Sequence, residues 1–141
     1  RPGRMWSVVV TFYGAGDNDP PGSRDIAHPN ARHGLAGGVG TYADPVSLAG
    51  DRRAIPVGTR VYYPPLALYF VMEDDCAACI EDWASHRTPH IDLWAGNYSG
   101  RKFLACEDAL TPPGRVTVEV NPPPGRRTDT RPLYGGGACR V

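Results

Sequence analysis

An all-β fold, with six short strands closing into a small barrel between long loops, is what this amino-acid sequence predicts. Three observations lead there. Short apolar or alternating runs recur along the chain, each bounded by turn residues. Gly and Pro are numerous, 17 and 15 in 141 residues, and Pro is tolerated at strand starts, edges and turns but not in helix interiors. Helical periodicity is nearly absent. The length fits one domain over residues 1–141, and a chain of this size buries roughly 70% of its unfolded surface, enough for one core.

The first strand is read at residues 7–13, which are β-branched and aromatic. A polar stretch follows from Gly14 to about Gly38, rich in Asp, Asn, Pro and Gly; loops of that length are usually functional or mobile. Residues 39–43 are the second strand, ended by Asp44-Pro45. Ile55-Pro56-Val57-Gly58-Thr59 turns into a third strand at residues 60–63, ended by Pro64-Pro65. The near-continuous apolarity of residues 66–72 predicts a fourth strand buried on both faces. Residues 91–94 form the fifth. Weak helical character runs from Ser99 to Leu110, best from Cys106 onward. Val116 to Val120 alternates cleanly as the sixth strand, and the Pro/Gly/Arg-rich remainder is expected at the surface. Closing six such strands into a barrel removes exposed edges.

Charge narrows the partners. Basic and acidic residues balance at 15 each, with no basic stripe, so neither nucleic acid nor an anionic membrane is an expected partner. No apolar run is long enough to span a bilayer. The chain opens on Arg1 with strand-like sequence soon after, as a mature secreted form would. A neutral or mixed-charge polymer such as a polysaccharide fits this balance, with the protein acting as a monomer.

The four cysteines are Cys76, Cys79, Cys106 and Cys139. An even number in a secreted chain reads as disulfides, with three pairings open. Cys139 near the chain end suits pinning a tail, so Cys106–Cys139 with a local Cys76–Cys79 bridge is the preferred pairing. The alternative is zinc, because His86 and His90 follow the single CxxC at ligand-like spacing. The disulfide reading is preferred over it, so no metal or other cofactor is expected.

An ordered set of short segments carries a family resemblance. Tyr42-Ala43-Asp44-Pro45 precedes Ile55-Pro56-Val57-Gly58-Thr59, then Val71-Met72-Glu73-Asp74-Asp75, then His90-Ile91-Asp92-Leu93-Trp94. This set resembles the bacterial 3D (three-aspartate) domain, whose aspartates would fall on Asp44, Asp74 and Asp92. Thr11-Phe12-Tyr13-Gly14 and His90-Ile91-Asp92-Leu93 are also similar to segments of expansins and family 45 endoglucanases. The resemblance spans about residues 8–95. It implies a double-psi β-barrel and a role in cleaving or loosening glycans. This sequence departs from the 3D pattern by inserting the Cys76–Cys79 segment between Asp74 and Asp92, and by carrying residues 17–38 where a Thr-Ala-Ser-Gly segment is usual.

The chemistry expected follows from the residues. Glycosidic cleavage needs a carboxylic acid that protonates the leaving oxygen, and many enzymes add a second carboxylate. Asp92, between Ile91 and Leu93, is the expected acid, since apolar surroundings and like charges keep a carboxyl protonated. Asp74 is the expected neighbour, and Asp17 or Asp19 the expected second carboxylate that activates water. Asp44, Asp75 and His90 are the polar residues expected to contact substrate. Tyr13, Tyr42 and Trp94 are the aromatic faces for sugar rings, with Tyr98 and Trp83 beside them. The function so expected is a secreted enzyme cleaving β-1,4 linkages of bacterial peptidoglycan, a muramidase or lytic transglycosylase. The alternatives are a family 45-like endo-β-1,4-glucanase and a non-catalytic wall binder or protease inhibitor.

Overall fold

The computed structural model describes residues 1–141. Six strands form a closed barrel: β1 (Arg4–Gly14), β2 (Val46–Gly50), β3 (Arg60–Tyr63), β4 (Leu68–Asp75), β5 (His90–Gly96) and β6 (Val116–Val120), in the order β1-β5-β2-β4-β3-β6. Two helices, α1 (Ala77–His86) and α2 (Arg101–Leu110), pack outside it. A short hairpin, β7 (Tyr134–Gly135) with β8 (Ala138–Cys139), ends the chain.

The pairing has an internal two-fold pattern. β1 pairs with β5, and β2 with β4, in parallel; the remaining neighbours are antiparallel. Exchanging β1, β2, β3 with β4, β5, β6 leaves every neighbour relation unchanged. Parallel neighbours joined by crossovers of this kind are consistent with a double-psi barrel.

Strand alternation fills the interior. Val8, Val10 and Phe12 of β1 point inward with Ile91 and Leu93, Leu48, Phe70 and Met72, Val61, and Val118 and Val120, and all are buried. β4 is buried on both faces from Leu68 to Asp74, as its apolar run predicts. The outer faces of β1 and β5 carry Thr11, Tyr13, His90, Asp92 and Trp94 in neighbouring positions.

The second strand lies elsewhere than predicted. It is Val46–Gly50, and residues 39–43 form a loop closed by amides of Val39 and Gly40 on the Asp44 carbonyl. Gly40 sits at φ +105, and a Cβ there would meet Leu68 at 2.2 Å, so the backbone itself packs on β4. β4 begins at Leu68 because Pro64–Leu66 is a 3-10 turn. Helix α1, absent from the sequence reading, occupies the Cys76 insertion. The Cys76 sulfur accepts the Cys79 amide at its start, and Arg87 in the left-handed region ends it.

Both preferred disulfides are present, Cys76–Cys79 and Cys106–Cys139. The zinc alternative loses its thiolates: the two sulfurs near His90 are bonded to each other. The C-terminal segment is strapped down rather than merely superficial. Tyr69 and Tyr62 donate to the carbonyls of Pro123 and Arg127. Arg126 makes a two-point pair with Glu119, and Arg140 reaches the Leu66 carbonyl.

Candidate active site

The register of four strands builds the site. Thr11 on β1 lies opposite Asp92 on β5, Asp92 opposite Ala49 on β2, and Ala49 opposite Asp74 on β4. One row on the barrel's outer face therefore reads Thr11, Asp92, Ala49, Asp74. Asp92 and Asp74 are two strand spacings apart, roughly 9.6 Å between backbones, with the buried Ala49 between them.

Asp92 is half-buried. Its Oδ1 accepts from the Thr11 hydroxyl at 2.9 Å, and its Oδ2 takes no hydrogen bond from the protein. Burial pushes its pKa up to about 7; the Thr11 bond opposes this, and the Asp17 and Asp74 charges add to it. No backbone amide fixes the carboxyl, so it is free to exchange a proton.

Asp74 is held differently. Its Oδ2 accepts from the Tyr13 hydroxyl at 2.8 Å, and its Oδ1 accepts the amides of Ala27 and Asp75 at 2.9 Å each. Burial raises its pKa, while these three bonds lower it. A carboxylate with three donors suits holding Tyr13 and the long loop in place. Tyr13 is buried, and burial together with Asp74 raises its pKa, so it remains a phenol and a donor. Trp94 is buried against Tyr13, edge to face with ring centroids at 5.2 Å. It supports Tyr13 and offers little open face to a sugar.

The run Glu73-Asp74-Asp75 clasps the loop over residues 18–45. His33 Nδ1 meets Glu73 Oε2 at 2.6 Å and its Nε2 meets Asp44 Oδ1 at 2.7 Å. Burial pulls the His33 pKa down, but its bonds to Asp44 and Glu73 win and raise it. The Ser47 hydroxyl also donates to Glu73, and His28 meets Asp75 at 2.8 Å. Asp44 and Asp75 thus anchor this loop, each with its side chain still 45% exposed. Tyr42 packs edge-on against Tyr69 with the Arg60 guanidinium 4.2 Å over its ring. Trp83 packs on Trp6.

Of the two loop carboxylates, the structure brings in Asp17. Its Oδ1 accepts the Gly14 amide at 2.8 Å, and its charge acts on Asp92. Asp19 is exposed and makes no hydrogen bond to any site group, so it is not part of the cluster. The sequence reading missed Glu107. This residue sits on the buried face of α2 with Phe103 and Cys106, and its Oε2 is buried without a partner. Burial first, then the neighbouring Asp17 carboxylate, pushes its pKa up to about 9, so it is a neutral acid at neutral pH. The signal available was the 103, 106, 107 spacing, which puts all three residues on one helical face.

His90 is buried. Its Nε2 lies 2.8 Å from Thr11 Oγ1, and its Nδ1 lies 2.9 Å from Asp82 Oδ2 on α1. A cavity of about 230 Å³ opens beside Trp94, lined by Leu68, Tyr98, Leu133 and Tyr134 among others; Asp92 does not line it.

The fold and this face define a small disulfide-stapled barrel bearing four interacting carboxyl groups, Asp17, Asp74, Asp92 and Glu107. Residues 5–140 match the family described as the DDB_G0273701 N-terminal domain, and the chain belongs to that family. It is similar to the Dictyostelium discoideum protein titled "Uncharacterized protein DDB_G0273701/DDB_G0273221", with 39% identity over 135 residues. That match covers 92% of this chain and 58% of the relative, so the chain spans little more than half of the relative's length. No solved structure matches the chain.

Proposed function

We propose that this domain is a secreted glycan-cleaving enzyme of the double-psi barrel superfamily, acting on β-1,4 linkages of bacterial peptidoglycan with Asp92 as general acid. One observation carries the reading. The Asp92 carboxyl has a pKa of about 7, keeps one oxygen free of protein bonds, and sits on the outward-facing side of β5 in one row with Thr11 and Asp74. A general acid works best with a pKa near the operating pH. Asp17 is the carboxylate suited to activate water or steady positive charge at the anomeric carbon. Asp74 and Tyr13 position the wall of the site. The two disulfides are compatible with an oxidising, extracellular setting. The segments that resemble 3D domains, expansins and family 45 endoglucanases converge on Asp92 and supply the substrate class.

The test is digestion of purified peptidoglycan by the wild type and by Asp92→Asn, with the muropeptides weighed. Anhydro ends identify transglycosylation and reducing ends identify hydrolysis. The substitution is expected to lower the rate by about 10²–10⁴-fold. Product from soluble β-1,4-glucan alone moves the assignment to an endoglucanase. Absence of product from both polymers, with glycan binding intact, makes the domain a binder and ends the enzymatic reading.

A further inference from the structure

A continuous hydrogen-bonded line joins Asp92 to the surface through side chains on three elements. It runs Asp92 Oδ1, Thr11 Oγ1, His90 Nε2, His90 Nδ1, Asp82 Oδ2, with steps of 2.9, 2.8 and 2.9 Å between residues. His90 is sealed, with 6% of its side chain exposed, while the Asp82 side chain is 44% exposed. We propose that Thr11 and His90, with Asp82 holding the ring, form a reload line that hands Asp92 a proton for donation. This rests on the reading of Asp92 as a proton donor.

Counting hydrogens shows why the line conducts. Thr11 has one hydroxyl proton and stands between two groups that each need it. When Asp92 is a carboxylate, Thr11 donates to it, so His90 Nε2 must donate to Thr11. His90 Nδ1 faces the Asp82 carboxylate and donates as well, so the ring is an imidazolium. When Asp92 is protonated on Oδ1, that proton bonds Thr11 Oγ1, and Thr11 turns to donate to a bare Nε2. His90 is then neutral, with its remaining proton on Nδ1. Both arrangements hold the same number of protons, and moving from the first to the second passes one proton from His90 to Thr11 and one from Thr11 to Asp92. From the first arrangement this shift loads Asp92, and carboxyl rotation carries that proton to the open side for donation to a leaving oxygen. Asp92 is then a carboxylate beside a neutral His90; water at the open oxygen of Asp92 supplies the next proton, and the reverse shift returns one to Nε2.

The groups around the line do not interrupt it. Asp92 faces the charges of Asp17 and Asp74, and Glu107 on α2 lies beside Asp17 and interacts with Asp92. His90 meets the Cys76–Cys79 disulfide, which does not titrate, and Asp82.

The experiment follows the proton directly, without substrate: titration of the intact chain by NMR, reading the Asp92 carboxyl carbon and the His90 ring nitrogens. In the wild type, His90 is expected to titrate in two steps, one coinciding with a step at Asp92. In Asp92→Asn, His90 is expected to show one step. In Thr11→Val, both groups keep titrating but in single, unlinked steps, while Thr11→Ser restores the linkage. Amide spectra establish that each variant is folded, and Thr11→Ser carries the comparison if Thr11→Val is not. Independent single-step curves in the wild type, or linkage that survives loss of the hydroxyl, overturn the reload line. Linked titration without peptidoglycan cleavage leaves the proton line in place and removes the enzymatic reading, so the two failures are distinct.

Discussion

Replacing Asp92 by Asn is expected to stabilise the protein above neutral pH and to leave its stability nearly unchanged in acid. Asp92 is half-buried, and its pKa rises from 3.8 to about 7 on folding. A raised carboxyl favours the folded state only while it is protonated. Its contribution is intact below 3.8 and is lost as pH climbs through about 7, after which the loss is constant. At about 1.4 kcal/mol for each tenfold change in proton affinity, the ceiling on that loss is about 4 kcal/mol. Partial solvent access reduces it, so about 2–4 kcal/mol is the expected range. Asn keeps an oxygen for the Thr11 hydroxyl and carries no charge, so it is spared the loss. Urea unfolding of both proteins between pH 3 and pH 9 measures the difference. The advantage of Asn should open between 3.8 and about 7 and then level off. A variant less stable than wild type by the same amount at every pH would refute the placement of Asp92 in a poorly hydrated wall.

Glu107→Gln should be close to neutral at pH 5, within ~1 kcal/mol, because it exchanges one uncharged group for another. It should gain on the wild type as pH rises toward about 9, where the native carboxyl is driven to ionise beside Asp17. Equal losses at both ends in denaturant titrations would contradict this. Cys139→Ser opens a bridge with a sequence separation of 33. The chain-entropy relation puts the cost at roughly 4 kcal/mol, a fall in Tm of roughly 8–16 °C by calorimetry. Cys79→Ser opens a separation of 3 and should cost about half as much; equal falls in Tm would show that loop length does not govern either bridge.

The barrel was legible where alternation was clean. The β-branched run in β1, the apolar run in β4 and the alternation in β6 all state which face is inside. β2 was not legible, because Val-Ser-Leu-Ala-Gly lies beside Pro45 and looks no more strand-like than residues 39–43. The choice is made by the backbone of Gly40 packing under Leu68, a tertiary contact with no local trace. Helix α1 was hidden for a different reason: its residues present only Cys79 to the interior, so there is no apolar stripe to read. Within the site, Asp92, His90 and Tyr13 were legible from their ordered segments. Thr11 belonged to one of those segments without being assigned a role. Asp82 and Glu107 lie on helices outside the barrel, and only the packing of those helices reveals what they face.

The inserted segment between Asp74 and Asp92 therefore has a physical place in the site. β5 alone puts His90 two residues before Asp92 and, by alternation, on the same face, with Thr11 able to reach both. That much belongs to the barrel. A buried imidazole with an unpartnered Nδ1 would carry the cost of an unmet polar group. Helix α1 removes that cost by bringing the Asp82 carboxylate to 2.9 Å. The helix is fixed at its start by the Cys76–Cys79 bridge and the sulfur-capped first turn, and along its length by Trp83 against Trp6 of β1. The Asp82 carboxylate can only accept, so it keeps a proton on Nδ1 and leaves Nε2 as the ring atom that faces Thr11. The barrel sets where Asp92 stands; the stapled insertion sets which nitrogen of His90 stands behind it.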